Sequence, residues 1–113
     1  DGSYLTKLSR GAGKRNYEFL IESKYLWELY IKQNRRCNLS GIEIILPSIR
    51  QIRHKHQVID NAASLDRIDS SKGYVEGNVH WVHKHVNRMK WELNQEEFIQ
   101  FCKAVADHNK GEI

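Results

Sequence analysis

Two side chains in the middle of the chain have the types and the placement that a metal site needs. Asp66 lies in an apolar–acidic run, residues 65–69, that predicts a short strand, and Asn87 lies in a segment, residues 83–91, with apolar side chains at helical spacing. A carboxylate and an amide oxygen are hard ligands that suit Mg²⁺. By itself Asp66 is better explained as a carboxylate that caps a turn at the end of a strand. Spacing alone therefore supports only a metal site in a small basic domain.

The elements between these residues predict how they are brought together. A turn-rich loop, residues 70–77, contains Gly73 and Gly77, which permit positive φ. Residues 78–82 then alternate between polar and apolar side chains, as expected of a second strand. The side chain of Asn78 is expected to bond to the loop backbone and hold the loop closed, without a role as a ligand.

This succession of strand, loop, strand and helix resembles the HNH (ββα-metal) endonuclease motif of small phage and homing nucleases. Asp66 matches the first acidic metal ligand, Asn78 the loop-bracing asparagine and Asn87 the helical ligand. Residues 87–90 resemble the closing N-x-x-K of the family, and Cys37 to Gly41 resemble an element that often precedes the core in phage members. The resemblance covers most of the chain and is strongest over residues 37–102.

The resemblance implies an α+β fold with a ββα-metal (HNH/His-Me finger) core. We expect the nuclease core and a C-terminal helix over residues 37–113, and an N-terminal helical wrap over residues 1–36. The implied activity is hydrolysis of double-stranded DNA, one strand per active site, with Mg²⁺ or Mn²⁺. Two other interpretations stay open: an HNH-like DNA-binding module whose catalytic site has decayed, and, with less support, a zinc-bound interaction domain.

His83 is a possible third metal ligand. It lies at i, i+4 spacing from Asn87, so both side chains would face the same way on a helix. In HNH relatives two histidines at this spacing bind the metal. The alternative is a histidine that packs at the start of the helix, near the hairpin.

Arg67 stands where the family has its general-base histidine. Its guanidinium stays protonated at any usable pH, so it cannot be a base, but it can grip a phosphate. If Asp69 lies near Asn78 in the hairpin, Arg67 lies across from His80, which makes His80 the first candidate for a displaced base. The further candidates are His85, His54 and His56. Alternatively, metal-bound water acts without a base, His80 is a surface strand residue, or the site is inactive.

The charge balance is compatible with a nucleic-acid partner. The chain has 18 Lys and Arg against 14 Asp and Glu, a net charge of +4. The predicted phosphate contacts are Arg50, Arg53, Lys55, Lys84, Arg88 and Lys90. Each of these is, taken singly, more often a solvated surface charge.

The remaining features describe one small domain without a membrane span. Cys37 and Cys102 are far apart and form no C-x-x-C, so we expect two reduced thiols in the cytoplasm of a bacterium or of a phage-infected cell. The longest apolar run, residues 42–46, is interrupted by Glu43 and is too short to cross a bilayer. Because the chain opens at Asp1, we expect a longer parent chain, and a homodimer is possible.

Periodicity predicts the other elements. A short basic helix is expected over residues 4–16, an extended segment over 17–21, a helix capped by Ser23 and running to about Gln33, a strand over 42–46 and a long loop or strand arm over 48–61. Asn94 begins a capping box for the C-terminal helix. Its predicted buried face consists of Phe98, Phe101, Cys102 and Val105.

Overall fold

Short strands and three helices make up the described part of this α+β protein. The structure, a computed structural model, describes residues 19–46 and 60–110. The elements in chain order are β1 (Phe19–Leu20), α1 (Ser23–Lys32), β2 (Ala63–Arg67), β3 (Tyr74–Val75), β4 (Val79–His83), α2 (Lys84–Lys90) and α3 (Gln95–His108). The helix predicted over 4–16 and nearly all of the basic stretch 48–61 lie outside the described residues.

Two small sheets organise the strands. β2 and β4 form an antiparallel pair in which Asp66 lies opposite His80 and Ala63 opposite His83. β1 pairs in parallel with β3, so the segment before α1 is attached to the loop between β2 and β4. The predicted strand pair is therefore present, and its strand bounds differ from the prediction by one or two residues.

The strand predicted over residues 42–46 was wrong. Glu43 forms an isolated antiparallel bridge with Arg36, and Ile45 forms an isolated parallel bridge with Ala62. The two residues pair with different segments in opposite directions, so no continuous ladder develops. Ile44 between them is fully buried, which explains the β-branched, apolar pattern without a strand.

The core lies between α1 and the β2–β4 hairpin. Leu26 and Tyr30 are the buried residues of α1, and the Tyr30 hydroxyl donates to the carbonyl of Ile44 at 2.7 Å. Trp81 of β4 is fully buried and its indole N–H donates to the carbonyl of Leu26 at 2.8 Å. A buried tryptophan contributes a large apolar area and needs a partner for its N–H. Helix α1 begins at Ser23, with Glu22 rather than Ser23 at the N-cap position.

The side chain of Gln33 completes the outer edge of β4. Its Nε2 donates to the carbonyl of Trp81 at 2.8 Å, and its Oε1 accepts from the N–H of Trp81 at 2.9 Å. The backbone N–H of Asn38 donates to the same carbonyl at 3.0 Å. These bonds satisfy backbone groups that a strand edge would otherwise expose. They also hold the turn over residues 37–41 against β4.

Helix α2 follows β4 without a linker and packs on β2. Its N-cap is His83, whose Nδ1 accepts from the N–H of His85 at 3.1 Å. Along the helix, Asn87 contacts Ser64 and Lys90 contacts Asp66. The helix therefore runs beside β2 in the same direction, and the hairpin and the helix form one ββα unit.

Helix α3 begins as predicted but is less covered than predicted. The Asn94 side chain accepts from the N–H of Glu97 at 2.9 Å, which confirms the predicted cap. Phe98 is buried, whereas Phe101 and Val105 are exposed and Cys102 is half-buried. The other described elements thus cover only the start of this helix, so the predicted buried face was wrong beyond Phe98. None of the described helices has both the length and the apolar character needed to span a bilayer.

Candidate active site

An open cleft lies where the β2–β4 hairpin meets α2. Its volume is ≈600 Å³. The polar and aromatic side chains that line it are Ser64, Asp66, Arg67, Ser70, Tyr74, Lys84, Asn87, Arg88, Trp91 and Glu92. Both oxygen ligands predicted from the sequence, Asp66 and Asn87, line this one cleft, as do three of the predicted cations, Arg67, Lys84 and Arg88. The cleft is therefore the candidate site.

Asp66 lies at the centre of a buried polar network behind the cleft. It is 6% exposed; its Oδ2 lies 2.7 Å from His80 Nε2, and its Oδ1 lies 3.2 Å from the Lys90 ammonium. The Lys90 ammonium also donates to the carbonyl of Arg67 at 3.0 Å. A buried carboxylate is stable only when it is paired and hydrogen-bonded, and these partners supply both.

Lys90 cannot contact phosphate in this arrangement. Its side chain is fully buried and its ammonium is engaged with Asp66 and with the backbone of β2. The sequence placed Lys90 among the DNA contacts because it lies beside the proposed metal ligand Asn87. The structure instead makes it an internal counter-ion that orients Asp66, since it lies on the side of α2 that faces the hairpin.

His80 pairs with Asp66 rather than with Arg67. It is 2% exposed, and its Nδ1 lies 2.9 Å from the Asn38 amide Nδ2. Because an amide nitrogen only donates, Nδ1 accepts and the Nε2 hydrogen is directed at Asp66, the tautomer that satisfies both contacts. No lone pair of the ring faces the cleft. His80 therefore positions Asp66 and does not serve as the displaced base that the sequence predicted.

A one-residue difference in register causes this change of role. The prediction placed Asp69 opposite Asn78, whereas the backbone N–H of Ile68 donates to the carbonyl of Asn78 at 2.8 Å. Asn78 does reach Asp69, but with its side chain: Oδ1 accepts from the N–H of Asp69 at 3.0 Å. Shifting a strand by one residue moves its side chains to the other face of the pair. Asp66 thus shares a face with His80, and Arg67 does not.

Asn78 closes the loop between β2 and β3. Its buried Nδ2 donates to the carbonyls of Asp69 at 3.1 Å and Gly73 at 2.9 Å. Both N–H groups of the side-chain amide therefore donate and Oδ1 accepts one bond, which leaves only one lone pair of Oδ1 without a partner in this set of bonds. Gly77 has φ of 88°, the positive value that its residue type permits. The amide thus has the loop-bracing geometry expected from the sequence, and it holds no ligand position in the cleft.

His83 does not share a face with Asn87. It is the last residue of β4 and the N-cap of α2, so the helical i, i+4 argument does not apply to it. Strand alternation places it with Trp81, on the side opposite His80. Burial, reinforced by the positive charges of His85 and Lys84, lowers the pKa of His83 below its usual value. His83 is not among the residues that line the cleft.

Asn87 lines the cleft, and a side chain of β2 holds its amide. Its Nδ2 donates to Ser64 Oγ at 2.6 Å, which fixes the orientation of the amide. Within the described residues, Oδ1 accepts no hydrogen bond. Ser64 lies two residues before Asp66 on the same face of β2, so the amide is held on that face.

Arg67 braces the loop from inside the cleft. Its Nη1 donates to the carbonyls of Ser70 at 2.9 Å and Lys72 at 3.1 Å, and its guanidinium carbon lies 5.3 Å from the centre of the Tyr74 ring. A guanidinium that contacts an aromatic face and two carbonyls is held in place. Arg67 therefore contributes a fixed positive charge to the wall of the cleft.

The donor set determines which metals this site can hold. Among residues 19–46 and 60–110, no group of three or more His, Cys, Asp or Glu side chains is placed to hold an ion. Asp66 and Asn87 offer two hard oxygen donors, and an octahedral ion such as Mg²⁺ commonly takes one or two protein ligands and keeps several waters. The residues therefore suit a largely hydrated hard ion, although the Lys90 ammonium on Asp66 Oδ1 opposes a second positive charge there.

Several residues of the site were missed from the sequence, among them Asn38, Trp91 and Glu92. Asn38 is the partner of His80, and Glu92 and Trp91 line the cleft just after α2. Glu92 adds an exposed carboxylate to the lining. No sequence pattern identifies these residues. Asn38 is distant in sequence from His80, and whether Trp91 and Glu92 line the cleft depends on where α2 ends. Arg50, Arg53, Lys55, His54 and His56 lie outside the described residues.

Comparisons of this chain with models of protein families, with curated proteins and with solved structures gave no match.

Proposed function

We propose that this chain is an HNH-type endonuclease that hydrolyses DNA phosphodiester bonds with a divalent cation, Mg²⁺ or Mn²⁺. One observation carries the proposal: Asp66 of β2 and Asn87 of α2 line a single cleft at the junction of an antiparallel hairpin and the helix that follows it. The same cleft contains the cations of Lys84 and Arg88. Oxygen donors beside cations are the combination that a phosphodiester and a hard ion require.

In this proposal the side chains of the site have three separate roles. Lys84 and Arg88, on the first and second turns of α2, bind the phosphate and neutralise its charge. His80 and Lys90 hold the Asp66 carboxylate in one orientation from behind the cleft. Asp66 and Asn87 would hold the divalent ion, which would supply positive charge at the phosphate. The fixed positions of these groups lower the barrier because little reorganisation is needed during the reaction.

Glu92 is the proposed proton acceptor. Arg67 stays protonated, the ring of His80 is enclosed by Asp66 and Asn38, and His83 lies on the other face of the hairpin. Glu92 is an exposed carboxylate in the lining of the cleft, so it can take the proton of an attacking water and return it to solvent. Asp66 is a poorer acceptor because both of its oxygens already accept hydrogen bonds.

A second function, DNA binding without cleavage, has one observation in its favour. The Lys90 ammonium lies on Asp66 Oδ1 and already neutralises the carboxylate that would hold the ion. A site in which this pair had become permanent would keep the cationic cleft and lose the metal. Such a module binds DNA in a salt-dependent way and needs no divalent ion.

The test is conversion of supercoiled plasmid to the nicked form with Mg²⁺, with Mn²⁺ and with EDTA. Asp66→Ala is a poor probe by itself because it leaves the buried Lys90 without a partner. Asn87→Ala and Ser64→Ala form a better pair, since both remove the 2.6 Å hydrogen bond and only the first removes the proposed amide ligand. Thermal unfolding of both variants tests whether they are equally folded.

We expect nicking that EDTA abolishes, that Asn87→Ala lowers at least a hundredfold and that Ser64→Ala lowers only a few-fold. Equal activities of the two variants would show that the Asn87 oxygen has no part in the reaction. If no metal supports cleavage while the wild type binds plasmid equally well in EDTA, the endonuclease proposal fails and the binding module takes its place.

A further inference from the structure

Trp91 has a backbone conformation that its residue type rarely adopts. It is the residue after the last turn of α2, with φ of 50° and ψ of −120°, and its N–H donates to the carbonyl of Asn87 at 3.1 Å. Glycine is the common residue where a helix ends in this way, because a bulky side chain at positive φ is strained. The strain indicates that the indole is kept at this position for something other than helix termination.

Packing among the described residues does not explain the indole. Trp91 is 76% exposed, and its side chain takes part in none of the described hydrogen bonds. Trp81 shows the contrast, since it is fully buried and its N–H donates to the carbonyl of Leu26. Burial is the main way a tryptophan stabilises a fold. Trp91 buries little of its surface and therefore contributes little stability in this way.

The position of Trp91 points to a partner. It lines the cleft together with Arg88 and Lys84, which supply positive charge, and with Tyr74, a second aromatic ring. Aromatic rings beside basic side chains are the combination with which proteins hold single nucleic-acid strands. The volume of ≈600 Å³ lies within the range of about 300–1,000 Å³ that is usual for small-ligand sites. A ligand that has both an anionic group and a flat ring would fit a cleft lined by these side chains.

We propose that Trp91 stacks on a nucleobase and that the cleft receives an unpaired nucleotide, with its phosphate at Lys84 and Arg88. In a duplex the faces of the bases are covered by their neighbours, so the indole can stack only on a base in a single strand, at an end or rotated out of the helix. The preferred substrate is therefore DNA that is single-stranded or locally unpaired. This inference rests on the proposed function, because it takes DNA as the partner.

The experiment measures binding in EDTA, so that cleavage does not enter. A labelled single-stranded oligonucleotide and the corresponding duplex are titrated by fluorescence anisotropy with the wild type, Trp91→Gly, Trp91→Phe and Trp27→Phe. Trp27 is the matched control, since its indole is also exposed but lies on α1, away from the cleft. Thermal unfolding is recorded for each variant.

We expect Trp91→Gly to bind the single strand about 5- to 150-fold more weakly, the effect of losing one stacking ring. Its melting temperature should equal or exceed that of the wild type because glycine relieves the backbone strain. Trp91→Phe should retain most of the affinity, and Trp27→Phe all of it. Binding to the duplex should change much less, since phosphate contacts dominate there.

Two results would overturn the inference. One is a Trp91→Gly protein that binds the single strand as tightly as the wild type; the other is a wild type that binds only the duplex. Either result leaves the nuclease proposal standing if plasmid is still nicked with Mg²⁺. A wild type that binds neither form of DNA and nicks nothing would refute both proposals.

Discussion

His80 and Asp66 lie directly opposite each other on antiparallel strands, and His80 Nε2 is 2.7 Å from Asp66 Oδ2. Asn38 holds the other side of the imidazole, and Lys90 holds the other oxygen of the carboxylate. The acidic group at the candidate site is thereby fixed by two buried partners, and the exposed Asn38 orients one of them, His80. Fully satisfied networks of this kind rigidify a core, and partly satisfied ones weaken it.

Replacing His80 by Leu should reduce stability. The change leaves Asp66 Oδ2 without its donor and the Asn38 amide without its acceptor. Asp66 is buried, and a buried polar group left unpaired costs about 1–3 kcal/mol, whereas the exposed Asn38 amide can bond to water. Urea unfolding measures the loss, and His85→Leu serves as the control because His85 is exposed and outside the network. A His80→Leu protein as stable as the control would contradict the structural role of the ring.

Replacing Lys90 by Met should be more costly. The change leaves the buried Asp66 carboxylate without its cationic partner. Removing one partner of a buried ion pair typically lowers the stability of a protein by about 3–5 kcal/mol. The double variant Asp66→Asn/Lys90→Met removes both charges and should recover much of the loss. Chemical denaturation of the wild type, Lys90→Met, Asp66→Asn and the double variant gives the coupling energy. A loss in the double variant equal to the sum of the two single losses would show that the pair contributes nothing.

Replacing Asn78 by Asp should loosen the loop between β2 and β3. A carboxylate has the shape of the amide but cannot donate to the carbonyls of Asp69 and Gly73. We expect a loss of about 1–3 kcal/mol for the unmatched buried group. Hydrogen exchange at the amide of Asp69 should accelerate more than at Trp81, which lies in the core. Uniform acceleration at both would indicate global rather than local loosening.

The pKa of His83 predicts how stability varies with pH. Burial, with help from His85 and Lys84, lowers its pKa in the folded protein below the usual 6.5. The unfolded chain therefore binds more protons as the pH falls through about 6.5, so stability declines there and levels off below the folded pKa. His83→Asn keeps an N-cap acceptor and removes the titration. Melting temperatures between pH 7.5 and pH 5 should fall less in this variant, and parallel curves would contradict the assignment.

Replacing Glu92 by Gln should slow cleavage without weakening DNA binding. A positioned base contributes about 10²–10⁴-fold to the rate, and Glu92 is the proposed acceptor in the cleft. Single-turnover nicking rates across pH measure the effect. Glu96→Gln is the control, since Glu96 is also exposed but lies on α3, outside this cleft. An equal rate in both variants would exclude Glu92 as the base.

Much of the local structure was determined by the sequence. The strands β2 and β4, the loop with Gly77 and the N-cap of α3 follow from the apolar and polar pattern, turn residues and a capping side chain, each of which acts within a few positions along the chain. The order of strand, strand and helix brought Asp66 and Asn87 to one cleft, because α2 follows β4 directly and packs back on β2.

The roles of the other site residues were decided by the tertiary structure. The alternation of a strand fixes which of its side chains share a face, but it does not fix the offset to its partner, so His80 met Asp66 instead of Arg67. Helical spacing likewise does not fix where a helix begins or which side meets the core. His83 therefore became a cap, and Lys90 became a buried counter-ion. Packing against distant elements determines burial, and burial separates a lysine that binds phosphate from one that positions a carboxylate.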